Sequence, residues 1–320
     1  MQRALAMGTA VGVVVAAAAV VLTGGSATAA TAVPIGKPGT YATDPSGTPS
    51  GGKTTHDLGG QVVVPAGSTR YLSSKLYVDG ASEVTEVSHM VYCGKPGGTA
   101  LAAQLVSGRN VLANTAGAML TRGFVTAPAD TALNCAVYSQ FVNHAANVPS
   151  RIRVLASSYL QDVDDDIGAV TQTFNGAVLV NTSAHANTVA FTAPASATAV
   201  QAIGDISVTV CYGADRGLCS RSNGARMDGS RSYVGTQLVV DQLRGDGSVC
   251  RTTTNGPLTG TTVTNTIHHY RINTWLTNVP IDTSCGSRDF VSYTRTTANA
   301  EHNSFKIEAN NQSVGAVFVP

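Results

Sequence analysis

From Gly59 onward the chain runs in short segments that alternate apolar and polar residues, each bounded by Gly, Pro, Asn or Asp. Such segments cover residues 61–64, 84–92, 102–106, 136–142 and 151–156. They resume at 177–180, 206–212, 237–242, 270–276, 290–294 and 305–308, with a last one at 314–319. A period of two sends successive side chains to opposite faces, so each segment predicts a strand with one buried face. Turn residues at this spacing argue for antiparallel pairing in a sandwich or barrel. Helical periodicity is nearly absent.

The pattern also repeats. Residues 60–65 and the stretch ending at Cys93-Gly94 return as 176–181 and the stretch ending at Cys211-Tyr212-Gly213. Each copy then reaches Gly-Thr-x-Leu (98–101 and 235–238), an aromatic, a Pro and a second cysteine: Phe124, Pro128, Cys135 and Trp275, Pro280, Cys285. The reading is all-β: two tandem, related antiparallel β-sandwich-like domains, each with a disulfide at the position shared by the repeat. The expected boundaries are 58–160 for the first domain and 161–320 for the second.

The six cysteines are even in number and permit 15 pairings. The repeat predicts equivalent bonds, Cys93–Cys135 and Cys211–Cys285. Cys219 and Cys250 would then tether the longer, polar insertion 213–232. Two local bonds, Cys211–Cys219 and Cys250–Cys285, are the rival scheme. No C-x-x-C spacing is present, which weighs against a zinc site.

Residues 1–30 read as a signal peptide: Arg3, an apolar run over 11–22, and a small-x-small cleavage site at Ala27-Thr28-Ala29. The run is shorter than the roughly 20 apolar residues of a spanning helix, so no membrane span is expected after cleavage. An extracellular location follows, and an oxidising compartment suits the cysteines. Losing Arg3 with the leader leaves 19 basic and 19 acidic residues. That balance implies no basic face and no nucleic-acid partner. With charged residues at 12% of the chain, the surface must be built from Thr, Ser, Asn and Gly.

Residues 31–57 hold Pro34, Pro38, Pro45 and Pro49 among Gly, Ser and Thr, and read as a flexible tail. Val33, Pro34, Ile35 and Tyr41 are its adhesive points, and a docking peptide is the functional reading.

Candidate chemistry is sparse. Asp162, Asp164 and Asp166 alternate as carboxylates suited to a structural calcium, but Ile167 and Thr173 break an EF-hand loop. No other cofactor is implied. His268 and His269 lie at a predicted strand and would point to opposite faces. His89 and His185 read as ordinary strand or loop residues. No nucleophile elbow or zinc helix is present, so no catalytic residue is assigned. Trp275, the sole tryptophan, reads as a core residue packing on a disulfide. Tyr71 or Tyr233, if exposed, would favour sugar binding.

Three functions follow. The first is a non-enzymatic secreted adaptor that assembles other secreted proteins. The second is a carbohydrate or cell-surface binding module, and the third an enzyme of unrecognised type. In its signal peptide, extended Pro/Gly/Ser tail and tandem disulfide-bearing β domains, the chain resembles the adaptor subunit of the secreted umbrella toxin particles of Streptomyces. That resemblance implies a spoke-docking role for residues 31–56 and stalk contacts by the domains.

Overall fold

The computed structural model describes residues 31–320 apart from 99, 145–149, 165–166, 175, 214–216, 228, 230, 310 and 320. The leader expected over residues 1–30 lies outside the described residues.

The first unit begins with β1 (Thr31–Pro34) and β2 (Gly39–Ala42). It continues through β3 (His56–Val64), β4 (Thr69–Asp79), β5 (Thr85–Gly94) and β6 (Leu101–Val111). It ends with β7 (Gly117–Thr126), β8 (Leu133–Asn143), β9 (Arg151–Val154) and β10 (Tyr159–Asp164). One sheet has the order β1-β10-β4-β9-β2, with β7 along the other edge of β4; the facing sheet has the order β3-β8-β5-β6. All these pairings are antiparallel.

The second unit contains β11 (Ala169–Phe174), β12 (Val178–Val180), β13 (Ser183–Thr192) and β14 (Ala199–Val210). Then come β15 (Arg231–Leu243), β16 (Val249–Thr254), β17 (Thr259–Thr264) and β18 (His269–Pro280). The last three are β19 (Asp289–Ala298), β20 (Phe305–Ile307) and β21 (Val314–Val319). Its sheets have the order β11-β21-β14-β20-β12, with β18 on β14, and β13-β19-β15, with β16 and β17 following one another along β15. The strand order of the first unit therefore recurs, with a β16–β17 hairpin in the place of β6. The chain is all-β, as the alternation predicts.

Three expectations need correction. The stretch 31–57 is not a free tail. β1 and β2 complete the first unit's sheet against β10 and β9, with Val33 opposite Leu160 and Tyr41 opposite Ile152. Ile35 is buried in the core, and Val33 and Tyr41 pack on it. Tyr41 lies 4.9 Å from the His56 ring and 5.8 Å from Phe141. Pro34 sits in β1 opposite Tyr159. Composition misleads here because a short segment can use the hydrogen bonds of an existing sheet edge. Burying one isoleucine contributes roughly 1.5–3 kcal/mol more. Gly59, at φ +76°, makes room: a Cβ there would lie 2.9 Å from the Gly36 backbone nitrogen. Val33, Ile35 and Tyr41 of the expected docking peptide are thus occupied by the chain's own fold, while the Pro34 ring stays exposed.

The boundary also moves. Tyr159–Asp164 pairs with β1 and β4, so the first unit extends to Asp164 rather than stopping at 160.

The third correction concerns the disulfides. Cys93–Cys135 forms as expected, but the other bonds are Cys211–Cys219 and Cys250–Cys285. The predicted Cys211–Cys285 bond is prevented by register. Cys211 follows the end of β14 that pairs with His269, whereas Cys285 follows Pro280, which pairs at the opposite end with Ala199. Matching Cys93 to Cys211 aligns β5 with β14, although the counterpart of β14 is β4. The topological partner of Cys93–Cys135 is Cys250–Cys285, which links the region after β15 to the turn before β19. Cys219 therefore ties the insertion to the end of β14, not to Cys250.

The two units meet along β4, β6 and β7 of the first and β14, β18, β11 and β21 of the second. Tyr71, Phe124, Ile203, Ala316 and Phe318 form one buried cluster across this seam. Beside it, Asp205 is fully buried between two arginines. Arg122 donates from Nε and Nη2 to both carboxylate oxygens, at 3.0 and 2.8 Å, and Arg271 donates from 3.4 Å. Arg122 also donates to the Thr274 carbonyl at 2.9 Å. Burial alone would raise the Asp205 pKa, but the two guanidiniums outweigh it and hold the carboxyl below its usual range.

Candidate functional site

The residues most available for a ligand lie on the outer face of the β3-β8-β5-β6 sheet. In β5 the buried Cys93 faces inward, so Tyr92 faces outward; in β8 the same parity sends Tyr138 outward from Cys135. The antiparallel register sets Met90 opposite Tyr138 and Tyr92 opposite Ala136, making the tyrosines diagonal neighbours. Their rings stack at 5.1 Å with 28° between planes. The Tyr92 hydroxyl donates to the Met90 sulfur at 2.7 Å, and partial burial raises its pKa. Cys93 and Cys135 stand directly opposite, with Cα atoms 4.0 Å apart, and lock the two tyrosine-bearing strands together.

These tyrosines line a cavity of about 430 Å³ together with Gln61, Asn134, Lys95 and Leu101. The Gln61 and Asn134 amides and the Lys95 ammonium make no side-chain hydrogen bond among the described residues. The site thus combines an aromatic wall with donors and acceptors not committed to the protein. A tyrosine ring offers an apolar face and a polar tip, and an amide offers both hydrogen-bonding senses. That set suits a polyhydroxylated ring.

The residues chosen from sequence are placed differently. Tyr71 is buried at the seam, stacked on Phe124 at 4.8 Å. Tyr233 is half-buried and lies over Gly260. Neither is a sugar platform. Trp275, expected in the core, is 55% exposed. It pairs with Ile203 on the face of β14–β18 that looks toward the first unit, and Arg122 covers its ring at 5.3 Å. Its parity with Arg271 and Asn273 carries that signal in the sequence.

His268 and His269 do not diverge: His268 precedes β18, and their ring centroids are 4.3 Å apart, with His144 at 4.8 Å from His268. Burial, with the neighbouring imidazoles, pushes the His268 pKa down to about 4. His185 stacks on Tyr293 at 4.1 Å. His89 is fully buried, bonded to Ser74 Oγ at 2.9 Å, and burial with nearby Arg271 pushes its pKa down to about 3. Of the calcium candidates, Asp162 faces Arg70 at 3.8 Å, Asp164 ends β10, and Asp166 lies outside the described residues. Among the described residues no group of three or more His, Cys, Asp or Glu is placed to hold a metal ion. No helix of the described residues is long and apolar enough to cross a membrane.

No family model and no curated protein matches this chain. Solved structures with partial likeness include the tandem CBM22-1–CBM22-2 domain of Paenibacillus barcinonensis Xyn10C. It shows 10% identity over 92% of this chain and 95% of that one, with a TM-score of 0.26. A peptide-N(4)-(N-acetyl-β-D-glucosaminyl) asparagine amidase shows 8% identity over 91% and 96%, with a TM-score of 0.32. The PBSX exported protein XepA shows 11% identity over 93% and 90%, with a TM-score of 0.16. Likeness at these scores carries no argument.

Proposed function

We propose that this chain is a non-enzymatic, secreted recognition protein that binds glycan in the Tyr92–Tyr138 pocket. The observation that carries the reading is the pair of uncommitted amides, Gln61 and Asn134, beside a stacked tyrosine wall. The three disulfides are compatible with an extracellular setting. The most deeply buried titratable groups support binding over turnover: Asp205 is held ionised between two arginines, and His89 is sealed against Ser74.

The test is a glycan array followed by calorimetry with the retained glycan. Tyr138→Ala is expected to weaken binding about tenfold or more, the effect of losing roughly 1.4 kcal/mol, with an unchanged melting temperature. An array with no retained glycan, or full affinity in Tyr138→Ala, sinks the reading.

A second reading is assembly into an extracellular, toxin-bearing complex, as the umbrella-particle resemblance implies. The near-balanced charge, +1 over the whole chain, favours neutral and permanent contacts. With residues 31–57 built into the first unit, contact would fall on sheet faces and edges. Affinity purification from native culture supernatant tests it: stoichiometric secreted partners support assembly, and a monomer alone removes it.

A further inference from the structure

We infer that the second unit carries a separate groove, floored by β18 and headed by Trp275, that binds an extended neutral polysaccharide. The inference rests on the glycan-binding reading of this protein, but on different residues.

In the first unit the gap between the edges of the two sheets is closed. Ser107 of β6 and Thr121 of β7 share a hydrogen bond of 2.5 Å, and Arg109 reaches the Ala118 carbonyl at 3.2 Å. In the second unit the corresponding edges are β17 and β18. Each pairs on one side only, with β15 and β14, and among the described residues no hydrogen bond joins them. Two adjoining cavities of about 360 and 250 Å³ lie along this opening and share Thr236, Thr259, Ile272 and Asn273. Tyr270, out of phase with Trp275, packs on the cluster around Ile206 and Val208 at one end of the opening. From it β18 advances about 17 Å to Trp275, the length of several linked pyranose rings.

The lining chemistry selects the ligand. Asn255, Asn273, Thr236 and Thr259 are neutral hydrogen-bonding groups along the opening. Asn255 keeps its amide NH2 after accepting from the Leu238 amide, and Asn273 keeps its Oδ1 after donating to the Leu120 carbonyl. The one charged lining residue, Arg271, is turned to Asp205 and Ser207. The lining itself therefore leaves no charge for an anion, and the nearby first-unit guanidiniums of Arg109 and Arg122 are directed to the Ala118 carbonyl and to Asp205. Trp275 is held from the first unit by Arg122, 5.3 Å from its ring centroid, and Arg109 lies 4.8 Å from the Tyr270 centroid at the other end of the strand. Arg122 is itself fixed on Asp205 by two hydrogen bonds. The seam thus presets the platform before ligand arrives, which lowers the ordering entropy of binding.

Trp275 is the sole tryptophan, so intrinsic fluorescence reports on this groove alone. The full chain is titrated with cellohexaose, xylohexaose and chitohexaose, and acrylamide quenching of Trp275 is measured at each point. At least one probe is expected to shield Trp275. Thr259→Arg, a change at an exposed position, is expected to weaken that binding about tenfold while leaving the melting curve intact. Tyr138→Ala should leave the shielding unchanged. No shielding by any of the three probes overturns the inference, and so does shielding that persists undiminished in Thr259→Arg. If calorimetry shows binding lost in Tyr138→Ala while Trp275 stays silent, the groove fails and the Tyr92–Tyr138 pocket stands. If Trp275 is shielded but no binding depends on Tyr138, the groove stands and the pocket fails.

Discussion

The two units share a strand order yet solve the same packing problem differently. The first gathers its apolar residues into one buried cluster, from Ile35 and Leu58 through Leu105 and Phe141 to Leu160. The second divides them between a cluster around Phe191, Leu238 and Phe290 and another around Ile206, Val208 and Phe305. The sheets meet closely between these clusters, because a Cβ on Gly204 would lie 2.3 Å from Thr294 Oγ1. The first unit closes its sandwich edge with β6 and β7. The second leaves that edge open, and a tryptophan stands beside the opening. Topology can thus be kept while a single edge is reassigned from packing to an accessible groove.

The comparison breaks most sharply at Asp205, the only acid of the buried seam triad. Asp205→Ala strands Arg122 and Arg271 without a counter-charge. Losing one partner of a buried ion pair is expected to cost about 3–5 kcal/mol. Chemical denaturation should show the loss, and a change below about 1 kcal/mol would mean that the units do not depend on their seam.

The disulfides sharpen the comparison next. Cys93–Cys135 and Cys250–Cys285 span 42 and 35 residues, against 8 for Cys211–Cys219. Loop-closure entropy predicts losses of about 4 kcal/mol for either long bridge and about 2.5 for the short one when both cysteines become serine. Equal losses for all three would show that the topological equivalence has no energetic counterpart.

The smallest effect is pH-dependent and belongs to the first unit. His89 takes its proton near pH 6.5 when unfolded but only near 3 when folded. Between those values the unfolded chain binds more protons. Its contribution is therefore complete above about pH 6.5 and falls by about 1.4 kcal/mol per unit as pH drops toward 3. Denaturation of wild type and His89→Gln at about pH 7 and pH 5 separates this from other groups. The variant should lose less stability on acidification, and parallel losses would remove His89 from the account.

The alternation of polar and apolar residues makes the strand content and the doubling legible, because side-chain period is a local property. Cys93–Cys135 is expected from the repeat and forms, although the repeat aligns Cys93 with a cysteine at the wrong strand. Register between distant strands is not local. The Cys-Tyr-Gly letters at 211–213 therefore match the end of β5, and they suggest the wrong partners for two disulfides. The 31–57 stretch reads as a tail because its order comes from a sheet edge assembled far along the chain. Trp275 reads as core because its environment is the other unit. The Tyr92–Tyr138 pair is within reach of sequence, since both stand out of phase with inward-facing cysteines. Only the register that makes them neighbours is hidden.

The way each unit is fastened also governs how it can come into being. Thr31 pairs with Asp162, and Ala169 pairs with Val319, so one sheet of each unit is finished by joining its first strand to its last. Contacts this remote slow folding, because the chain must close a long loop before any contact rewards it. A chain emerging from its N-terminus cannot complete the first unit until β10 has appeared. The second must wait for β21. Until then β1 and β11 have no sheet to join, and the half-built sandwich carries an unpaired edge throughout its synthesis.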